Sequence, residues 1–247
     1  MRVNQEKEWF ESWFDTKWYH ILYKNRDMQE AEVFLEHLIQ NLNLNEKSRI
    51  LDAACGSGRH SIFLNKKGFD VTGFDLSAQS ISLAKKSENE KLHFQTADLR
   101  SFKSDQKFDV ILNLFTSFGY FASVEDNVKV LQNFKNSLTA EGVLLIDFMN
   151  AKKVIKHLVL SEIKTVEGID FELRRFVEDG KIIKEIEFLA EGELKHFQEK
   201  VSAFILEDFI KMLDSAGFKI KEIYGDYKFQ PFLVESSPRL IIKAIPV

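Results

Sequence analysis

The stretch from Arg49 to Ser61, RILDAACGSGRHS, decides the fold of the chain. It begins with an apolar pair, Ile50 and Leu51, typical of a buried strand, and continues through small residues into a helix-like segment. A strand, a glycine-rich turn and a helix in this order bring backbone N–H groups close to a nucleotide-like ligand. Gly56 and Gly58 allow a tight turn with positive φ and place no Cβ in the path of such a ligand. The stretch therefore predicts the first strand and helix of a nucleotide-binding α/β sheet.

The residues around this turn distinguish two classes of ligand. A dinucleotide fingerprint, G-x-G-x-x-G, needs a third glycine, and Ser61 stands in that place. Asp52, at the end of the strand, would repel a pyrophosphate, but it would attract a ligand that carries an ammonium and a sulfonium. S-adenosylmethionine (SAM) is such a ligand, so Asp52 favours SAM over NAD. A turn that only packs a helix against a sheet is the alternative at this point.

The composition indicates a folded protein and does not favour a nucleic-acid or membrane partner. The 247 residues suffice for one large α/β domain, with or without an appendage, and 45% of them are hydrophobic, which supports a packed core. The net charge of −4 comes from well-mixed acids and bases, which does not favour a nucleic-acid partner. A single cysteine, Cys55, excludes an intrachain disulfide and suits a reducing compartment. Without a signal-peptide core or a membrane-length apolar run, the sequence predicts a soluble, cytoplasmic protein.

Strands and helices alternate along most of the chain. Apolar runs predict strands at 49–53, 69–75, 91–97, 108–115 and 142–148. Helices are predicted at 59–67, from the Ser77 cap to about residue 86, at 124–138 and at 206–216. Two final strands follow with no helix between them, which indicates a closing hairpin with one antiparallel strand. The pattern predicts a Rossmann-like, seven-stranded, mostly parallel sheet with helices on both faces.

The alternation stops between residues 157 and 205, where one strand-like run follows another. The runs are separated by turn signals at Glu167-Gly168, Asp179-Gly180 and Glu191-Gly192. Partial alternation of apolar and polar residues suits a sheet with one face in water. The segment is predicted to be an antiparallel β insertion of three or four strands.

The N-terminal segment is rich in aromatic residues. Trp9 and Trp13, like Phe10 and Phe14, are spaced four residues apart, which predicts an aromatic helix face within residues 6–23. Asp27 is a predicted N-cap for a second helix over 28–41. Residues 1–44 are therefore predicted to be a helical lid over the ligand, with simple packing on the sheet edge as the alternative.

Three acids follow three successive predicted strands. Asp52, Asp75 and Asp98 each stand where a strand ends, and ligands of open parallel sheets bind beyond these carboxyl ends. A carboxylate at Asp75 can accept hydrogen bonds from both ribose hydroxyls. One at Asp98 can accept from the adenine amine, while the Leu99 amide donates to the ring. The series, together with the glycine turn, favours an adenosyl ligand.

With these residues the chain resembles the class I SAM-dependent methyltransferases. The first motif of that family matches Asp52, Gly56 and Gly58, although Ala54 stands where the family more often has glycine. Asp75 in GFDLS matches the ribose acid, and Asp98 in ADLRSF matches the adenine-edge acid. The resemblance covers about 45–150 and 206–247. It implies a SAM-binding domain over 45–156 and 206–247, with 157–205 similar to the β-flap of small-molecule N- and O-methyltransferases.

The resemblance implies a set of cofactor-binding residues and a few candidate bases. The residues expected to bind SAM are Tyr23, Asp52, Ala54, Gly56, Ser57, Gly58, Asp75, Leu76, Ser77, Ala97, Asp98, Leu99, Leu114 and Phe115. Because the methyl donor is already activated, the protein mainly contributes alignment and desolvation, and a hydroxyl acceptor would also need a base. The candidate catalytic residues are Tyr19, His20 and Asp147, of which Asp147 lies at the end of the fifth strand. No Cys/His set has metal-ligand spacing, so no metal is predicted.

The predicted activity is methyl transfer from SAM to a nitrogen or oxygen of a small molecule. Asn113 is followed by Leu114 and Phe115, so the Asn-Pro-Pro-aromatic signature of nucleic-acid amino-methyltransferases is missing. The alternatives are a NAD-type Rossmann oxidoreductase and a non-catalytic module that binds SAM or a partner. The sequence names neither the methyl acceptor nor an oligomeric state.

Overall fold

The computed structural model describes residues 8–24 and 28–247. The strands along the chain are β1 (Arg49–Ala53), β2 (Asp70–Asp75), β3 (Leu92–Thr96), β4 (Phe108–Asn113), β5 (Leu138–Met149), β6 (Ser161–Val166), β7 (Ile169–Glu178), β8 (Lys181–Ala190), β9 (Glu193–Ser202), β10 (Phe218–Tyr224) and β11 (Arg239–Pro246). The helices are α1 (Trp9–Trp13), α2 (Lys17–Leu22), α3 (Met28–Asn41), α4 (Arg59–Lys66), α5 (Ala78–Ala84), α6 (Val124–Ser137), α7 (Ala151–Lys156) and α8 (Leu206–Ser215).

The main sheet has seven strands in the order β10-β11-β5-β4-β1-β2-β3. β11 runs antiparallel to both of its neighbours, β5 and β10, whereas β1 to β5 pair in parallel. The prediction of a mostly parallel sheet with one antiparallel strand is confirmed. β1 lies between β2 and β4, so the strand order reverses there and opens a crevice at the carboxyl ends of these strands.

Apolar side chains cover both faces of this sheet. One face packs against α6 and α8 through residues such as Phe134 and Phe209, and the other packs against α3, α4 and α5 through residues such as Phe34 and Leu64. All four side chains are fully buried. Because burial of one such side chain contributes about 1.5–3 kcal/mol, the two layers fix the sheet as a rigid support for its carboxyl edge.

A separate four-stranded antiparallel sheet, in the order β6-β7-β8-β9, forms from the predicted insertion. Its buried face contains Phe171, Ile186 and Phe188, and these side chains pack in one cluster with Trp13 and Leu22 of the N-terminal helices. The other face is largely polar, as the alternation of residues predicts. The insertion and the N-terminal helices therefore share one hydrophobic core.

Three local features differ from the sequence-based expectations. The single aromatic helix expected in residues 6–23 is two short helices, because Thr16 Oγ1 caps α2 by accepting a hydrogen bond from the Tyr19 N–H at 3.2 Å. β4 ends at Asn113 rather than 115, because Phe115 and Thr116 adopt positive φ angles of 55° and 63°. The helix α7 was not expected. The predicted cap at Asp27 lies outside the described residues.

No helix in 8–24 or 28–247 has the length and hydropathy that a membrane crossing requires.

Candidate active site

A cavity of ≈ 220 Å³ opens at the crevice where the strand order reverses. The ends of β1, β2 and β4 form its floor, and α1, α2 and β9 contribute its roof. The predicted residues that line it are Tyr19, His20, Tyr23, Asp52, Ala54, Gly56, Ser57, Asp75, Leu76, Ala97, Asp98, Leu99, Leu114 and Phe115. Gly58, Ser77 and Asp147 do not line the cavity.

The turn after β1 takes its shape from residues with positive φ. Gly56 has a φ of 55°, and no atom lies within 4 Å of the position that a Cβ would occupy there. Gly58 has a φ of 79° and packs against the Phe94 ring, which would lie 2.6 Å from a Cβ. Ala54 also has a positive φ of 62°, a conformation that costs an L-residue about 1–2 kcal/mol. Gly56 therefore keeps the cavity open, whereas Gly58 lets the turn lie against β3.

Asp75 joins the turn after β1 to the end of β2. Its Oδ2 accepts a hydrogen bond from the Gly56 N–H at 2.8 Å, and its Oδ1 accepts one from the Ser77 N–H at 2.8 Å. Burial raises the pKa of Asp75 although these backbone bonds lower it. Ser77 itself caps α5, since its Oγ accepts from the Ser80 N–H at 3.0 Å. Ser77 thus contributes to the site through Asp75.

Asp52 is a second buried acid on the cavity floor. The Ser61 hydroxyl donates to Asp52 Oδ2 at 2.6 Å. Burial raises the pKa of Asp52 to about 6 despite this hydrogen bond, and the negative charge of Asp75 adds to the rise. Ser61 occupies the place of the third glycine in a dinucleotide fingerprint, and the structure gives it a different role, the support of Asp52.

Asp98 is held by Arg100, which the sequence patterns did not indicate. The Arg100 guanidinium donates to Asp98 Oδ2 through Nη2 at 2.6 Å, and the Arg100 backbone N–H donates to Oδ1 at 2.7 Å. The same Nη2 lies 2.8 Å from the Glu8 carboxylate, and the guanidinium packs over the Phe121 ring at 4.6 Å. Arg100 therefore links the segment after β3 to the residue that precedes α1.

Further polar contacts fix the N-terminal helices over the cavity. Asp15 Oδ1 accepts hydrogen bonds from the Ser77 hydroxyl at 2.8 Å and from the Gln79 N–H at 2.9 Å. On the other side, the Trp13 indole N–H donates to the Glu199 carboxylate of β9 at 2.8 Å. The N-terminal helices are thus attached both to the start of α5 and to the four-stranded sheet.

Glu199 is a cavity residue that the sequence analysis missed. Its carboxylate accepts hydrogen bonds from Trp13, from the Tyr23 hydroxyl at 2.6 Å and from Lys184 at 2.6 Å. Burial alone would raise the pKa of Glu199, but the Lys184 charge and these hydrogen bonds lower it. The sequence did contain an indication of this position. Glu199 alternates with the apolar residues Phe197 and Val201 and therefore shares with them the inward face of β9.

The assignment of Asp147 as a general base does not agree with its position. Asp147 is fully buried beside the cavity, where its Oδ1 accepts from Arg239 Nε at 2.7 Å. Its Oδ2 accepts from the Phe115 N–H at 2.8 Å and from the Tyr227 hydroxyl at 3.3 Å. Arg239 also donates to Thr116 Oγ1 at 2.9 Å. Asp147 therefore holds the turn after β4 and does not face the cavity.

Comparison with known proteins places the chain in a family. Residues 44–187 match the family model described as a methyltransferase domain. The chain belongs to this family. The methyltransferase is 31% identical over 195 residues to the protein named "Putative methyltransferase YqeM" of Bacillus subtilis, covering 75% of this chain and 79% of that protein. It is 28% identical over 234 residues to a glycine/sarcosine N-methyltransferase of Aphanothece halophytica, covering 87% of this chain and 82% of that one.

Solved structures agree with the methyltransferase fold. A SAM-dependent methyltransferase from Clostridium acetobutylicum superposes with a TM-score of 0.77 at 21% identity, covering 92% of this chain and 95% of that one. CalS10 with SAM bound, an amino pentose methyltransferase from Micromonospora echinaspora, gives 0.68 at 17% identity and covers 100% of both chains. The protein is a class I SAM-dependent methyltransferase, which sets aside the NAD-dependent oxidoreductase.

The residues around the cavity fit SAM. The open space at Gly56 lets a ligand approach the backbone of the turn, because no side chain fills it. Asp75 lines that space, and two backbone N–H groups fix its carboxylate. Asp52 on the same floor has a pKa of about 6, so it is mostly ionised at neutral pH and complements a cationic ligand.

Proposed function

We propose that the enzyme transfers the SAM methyl group to an amine nitrogen of a small molecule in this cavity. The observation that carries the proposal is the enclosure of an acidic floor, with Asp52 and Asp75, beneath a roof from α1, α2 and β9. In this arrangement residues 45–156 and 206–247 bind SAM, and residues 157–205 act as a flap over the acceptor. The part of the predicted 1–44 lid that covers the cavity is α1 and α2, because α3 packs against the main sheet instead. The glycine/sarcosine N-methyltransferase among the similar proteins supports nitrogen as the atom methylated.

The cofactor roles proposed for the floor follow from the chemistry of each group. Asp75 accepts the ribose hydroxyls, since its carboxylate is already oriented by backbone N–H groups. Asp98 accepts from the adenine amine and the Leu99 N–H donates to the ring. Asp52 faces the cationic methionine end. The remaining contacts come from Tyr23, Ala54, Gly56, Ser57, Leu76, Ala97, Leu114 and Phe115, all of which line the cavity.

The chain's own groups align the acceptor and exclude water. SAM, when bound, supplies an electrophilic methyl group on a positively charged sulfur. The aromatic roof, in which Trp9 and Phe14 lie 5.3 and 5.5 Å from the Tyr120 ring, shields this region from solvent. Only the neutral form of an amine has a lone pair that can attack the methyl group. A group that accepts the proton of the ammonium form therefore assists the reaction. Tyr19 and His20 line the cavity and are the proposed proton acceptors.

Binding and turnover measurements test this proposal together. Calorimetry with SAM, with its demethylated product S-adenosylhomocysteine (SAH) and with NAD should show binding of the first two compounds. Radiolabelled SAM should then transfer its methyl group to members of a panel of small amines. Tighter binding of NAD would contradict the cofactor site. Transfer to hydroxyl compounds alone, or SAM binding without transfer to any amine, would contradict an amine acceptor.

SAM affinity should fall in acid because of Asp52. Its pKa of about 6 means that the carboxylate becomes neutral below that pH and no longer attracts a cationic ligand. Affinity is therefore expected to fall by up to about tenfold for each pH unit below about 6. Calorimetric titration with SAM between about pH 5 and pH 7 measures this dependence. Asp52→Asn should bind more weakly near neutral pH and show a flatter profile, and an unchanged slope in this variant would contradict the role of Asp52.

The stability of the ligand-free enzyme should change in the opposite direction. A carboxyl whose pKa rises on folding, here from 3.8 to about 6, contributes stability that is fully present below the unfolded value. That contribution is lost as the pH rises through about 6. Denaturant unfolding across the same range, with Asp52→Asn as the comparison, therefore separates loss of binding from loss of folding.

A further inference from the structure

Glu199 is a partly buried acid in the cavity, and the proposed SAM-binding roles involve it only through the hydrogen bond that it accepts from Tyr23. Its side chain is 15% exposed and belongs to β9, which contributes to the roof of the cavity that Asp52 and Asp75 also line. Neither the glycine turn nor the strand-end acids involve it. Its carboxylate is therefore available to contact the methyl acceptor.

The Glu199 carboxylate is held in place yet keeps capacity for a further hydrogen bond. Trp13 and Tyr23 donate to Oε1, and Lys184 donates to Oε2 at 2.6 Å. A carboxylate has about four acceptor positions, two on each oxygen, so among the described residues three are used and one remains on Oε2. The three donors also fix the orientation of this remaining position.

We propose that Glu199 recognises the acceptor amine, and that the acceptors are amines without a carboxylate, such as amino sugars or amino alcohols. This inference rests on the proposed N-methyltransferase function. A neutral amine that donates one N–H to Glu199 Oε2 has its lone pair directed elsewhere, available for the methyl group. A charge-assisted bond of this kind is stronger than one between neutral groups, so it both selects and orients an amine.

The charge movement of the reaction favours an anion at this position. As the N–C bond forms, the C–S bond breaks and its electron pair returns to sulfur. The positive charge passes to the acceptor nitrogen, which keeps its protons until one moves to a proton acceptor, the role proposed for Tyr19 and His20. An anion fixed beside that nitrogen stabilises the charge as it develops in the transition state. Glu199 is then a catalytic residue as well as a specificity residue.

The same charges disfavour an acceptor that carries a carboxylate. Four carboxylates line the cavity, those of Asp52, Asp75, Asp98 and Glu199, together with one arginine, Arg59, so an amino acid would bring its own anion into a site with an excess of negative charge. Like charges in a partly buried site repel strongly. Lys184, the cation nearest to Glu199, is already engaged with Glu199 and the Tyr23 hydroxyl. Glycine and sarcosine are therefore expected to be poor acceptors.

The wild-type enzyme tests the substrate class directly. D-glucosamine, 3-amino-3-deoxy-D-glucose and ethanolamine are compared with glycine and sarcosine for methyl transfer, and for calorimetric binding to the enzyme saturated with SAH. At least one carboxylate-free amine should bind and should exceed glycine in kcat/KM by about 100-fold, as expected when a polar site faces an unpaired charge. Equal or better turnover of glycine would overturn the inference but leave the N-methyltransferase function intact. SAM binding without transfer to any amine would overturn both.

A variant of Glu199 tests the residue itself. Glu199→Gln should lower kcat/KM for the preferred amine by about 10- to 100-fold and weaken amine binding to the SAH complex. Its affinity for SAH should fall much less than its affinity for the amine, since the floor residues are unchanged and a glutamine at this position can still accept the hydrogen bond from Tyr23, a proposed SAM contact. The matched control is Glu193→Gln, an exposed acid on the same strand, which should behave like the wild type. Unchanged kcat/KM in Glu199→Gln would overturn the role.

A second variant distinguishes a loss of amine binding from a folding defect. Removing the Glu199 charge leaves the buried Lys184 ammonium without its carboxylate, which is destabilising in itself. The double variant Lys184→Met with Glu199→Gln removes both charges and is measured if the single variant fails to bind SAH. It should recover SAH binding relative to the single variant and still lose amine binding. Retained amine binding in the double variant would overturn the inference.

Discussion

Replacing Asp75 by alanine is expected to weaken the binding of SAM and of SAH by about 1–3 kcal/mol, which corresponds to a loss of about 5- to 150-fold in affinity. The reason is that the carboxylate has two tasks in the proposed site. It would accept the ribose hydroxyls, which would then be buried without an acceptor. It also holds the N–H groups of Gly56 and Ser77, each at 2.8 Å, so the cofactor turn loses its tie to β2. Calorimetric titration with SAH measures the effect without turnover.

The control for Asp75→Ala lies at the other end of the same strand. Asp70 begins β2, away from the cavity, and Asp70→Ala should leave SAH affinity within about twofold of the wild type. Burial raises the pKa of Asp75, so the ligand-free fold holds this carboxylate at an energetic cost. The variant should therefore lose more free energy of SAH binding than free energy of unfolding. Unchanged SAH affinity in Asp75→Ala would contradict the ribose role.

The floor of the cavity could be predicted from sequence because local patterns determine it. Apolar runs mark the strands, and β1 was predicted with the bounds that the structure has, 49–53. Since parallel strands place their carboxyl ends along one edge, the residue after each run falls near the crevice. Asp52, Asp75 and Asp98 line the same cavity for this reason. No knowledge of distant contacts was needed.

The roof could not be predicted because its contacts join distant parts of the chain. Trp13 and Glu199 are 186 residues apart, and neither has a neighbour in sequence that indicates the other. The spacing of the aromatic residues predicted a helix in the N-terminal segment. Whether that segment covers the cavity depends on the four-stranded sheet, which packs against it. Alternating patterns show which residues face inward, not which element they meet.

Asp147 shows how a strand-end pattern can mislead. It ends a strand as Asp52 and Asp75 do, and on that ground it was expected to face the acceptor. The antiparallel strand β11 lies beside β5, however, and brings Arg239 to the Asp147 carboxylate from 92 residues away. Only the pairing of these two strands decides that the carboxylate meets a guanidinium and not the cavity.

Asp147→Ala is expected to lower the free energy of unfolding by about 3–5 kcal/mol, the scale for removing one partner of a buried ion pair. The Arg239 guanidinium would lose its carboxylate, and the Phe115 N–H would lose its acceptor. The turn that these bonds hold contains two non-glycine residues, Phe115 and Thr116, with positive φ, so it depends on external contacts to persist. Because Phe115 lines the cavity, SAH affinity should fall as well.

Denaturant unfolding of a double-mutant cycle tests whether the Asp147–Arg239 pair stabilises the turn after β4. Arg239→Ala and the double variant should show that the two losses are strongly non-additive, because each single change removes the same interaction. The matched control is Glu222→Ala, which breaks the more exposed pair with Lys243 on the same hairpin and should cost only about 0–1 kcal/mol. If Asp147→Ala lowers the free energy of unfolding no more than this control does, the Asp147–Arg239 pair does not hold the turn. Additive losses in the cycle would mean that Asp147 and Arg239 stabilise the fold through separate contacts.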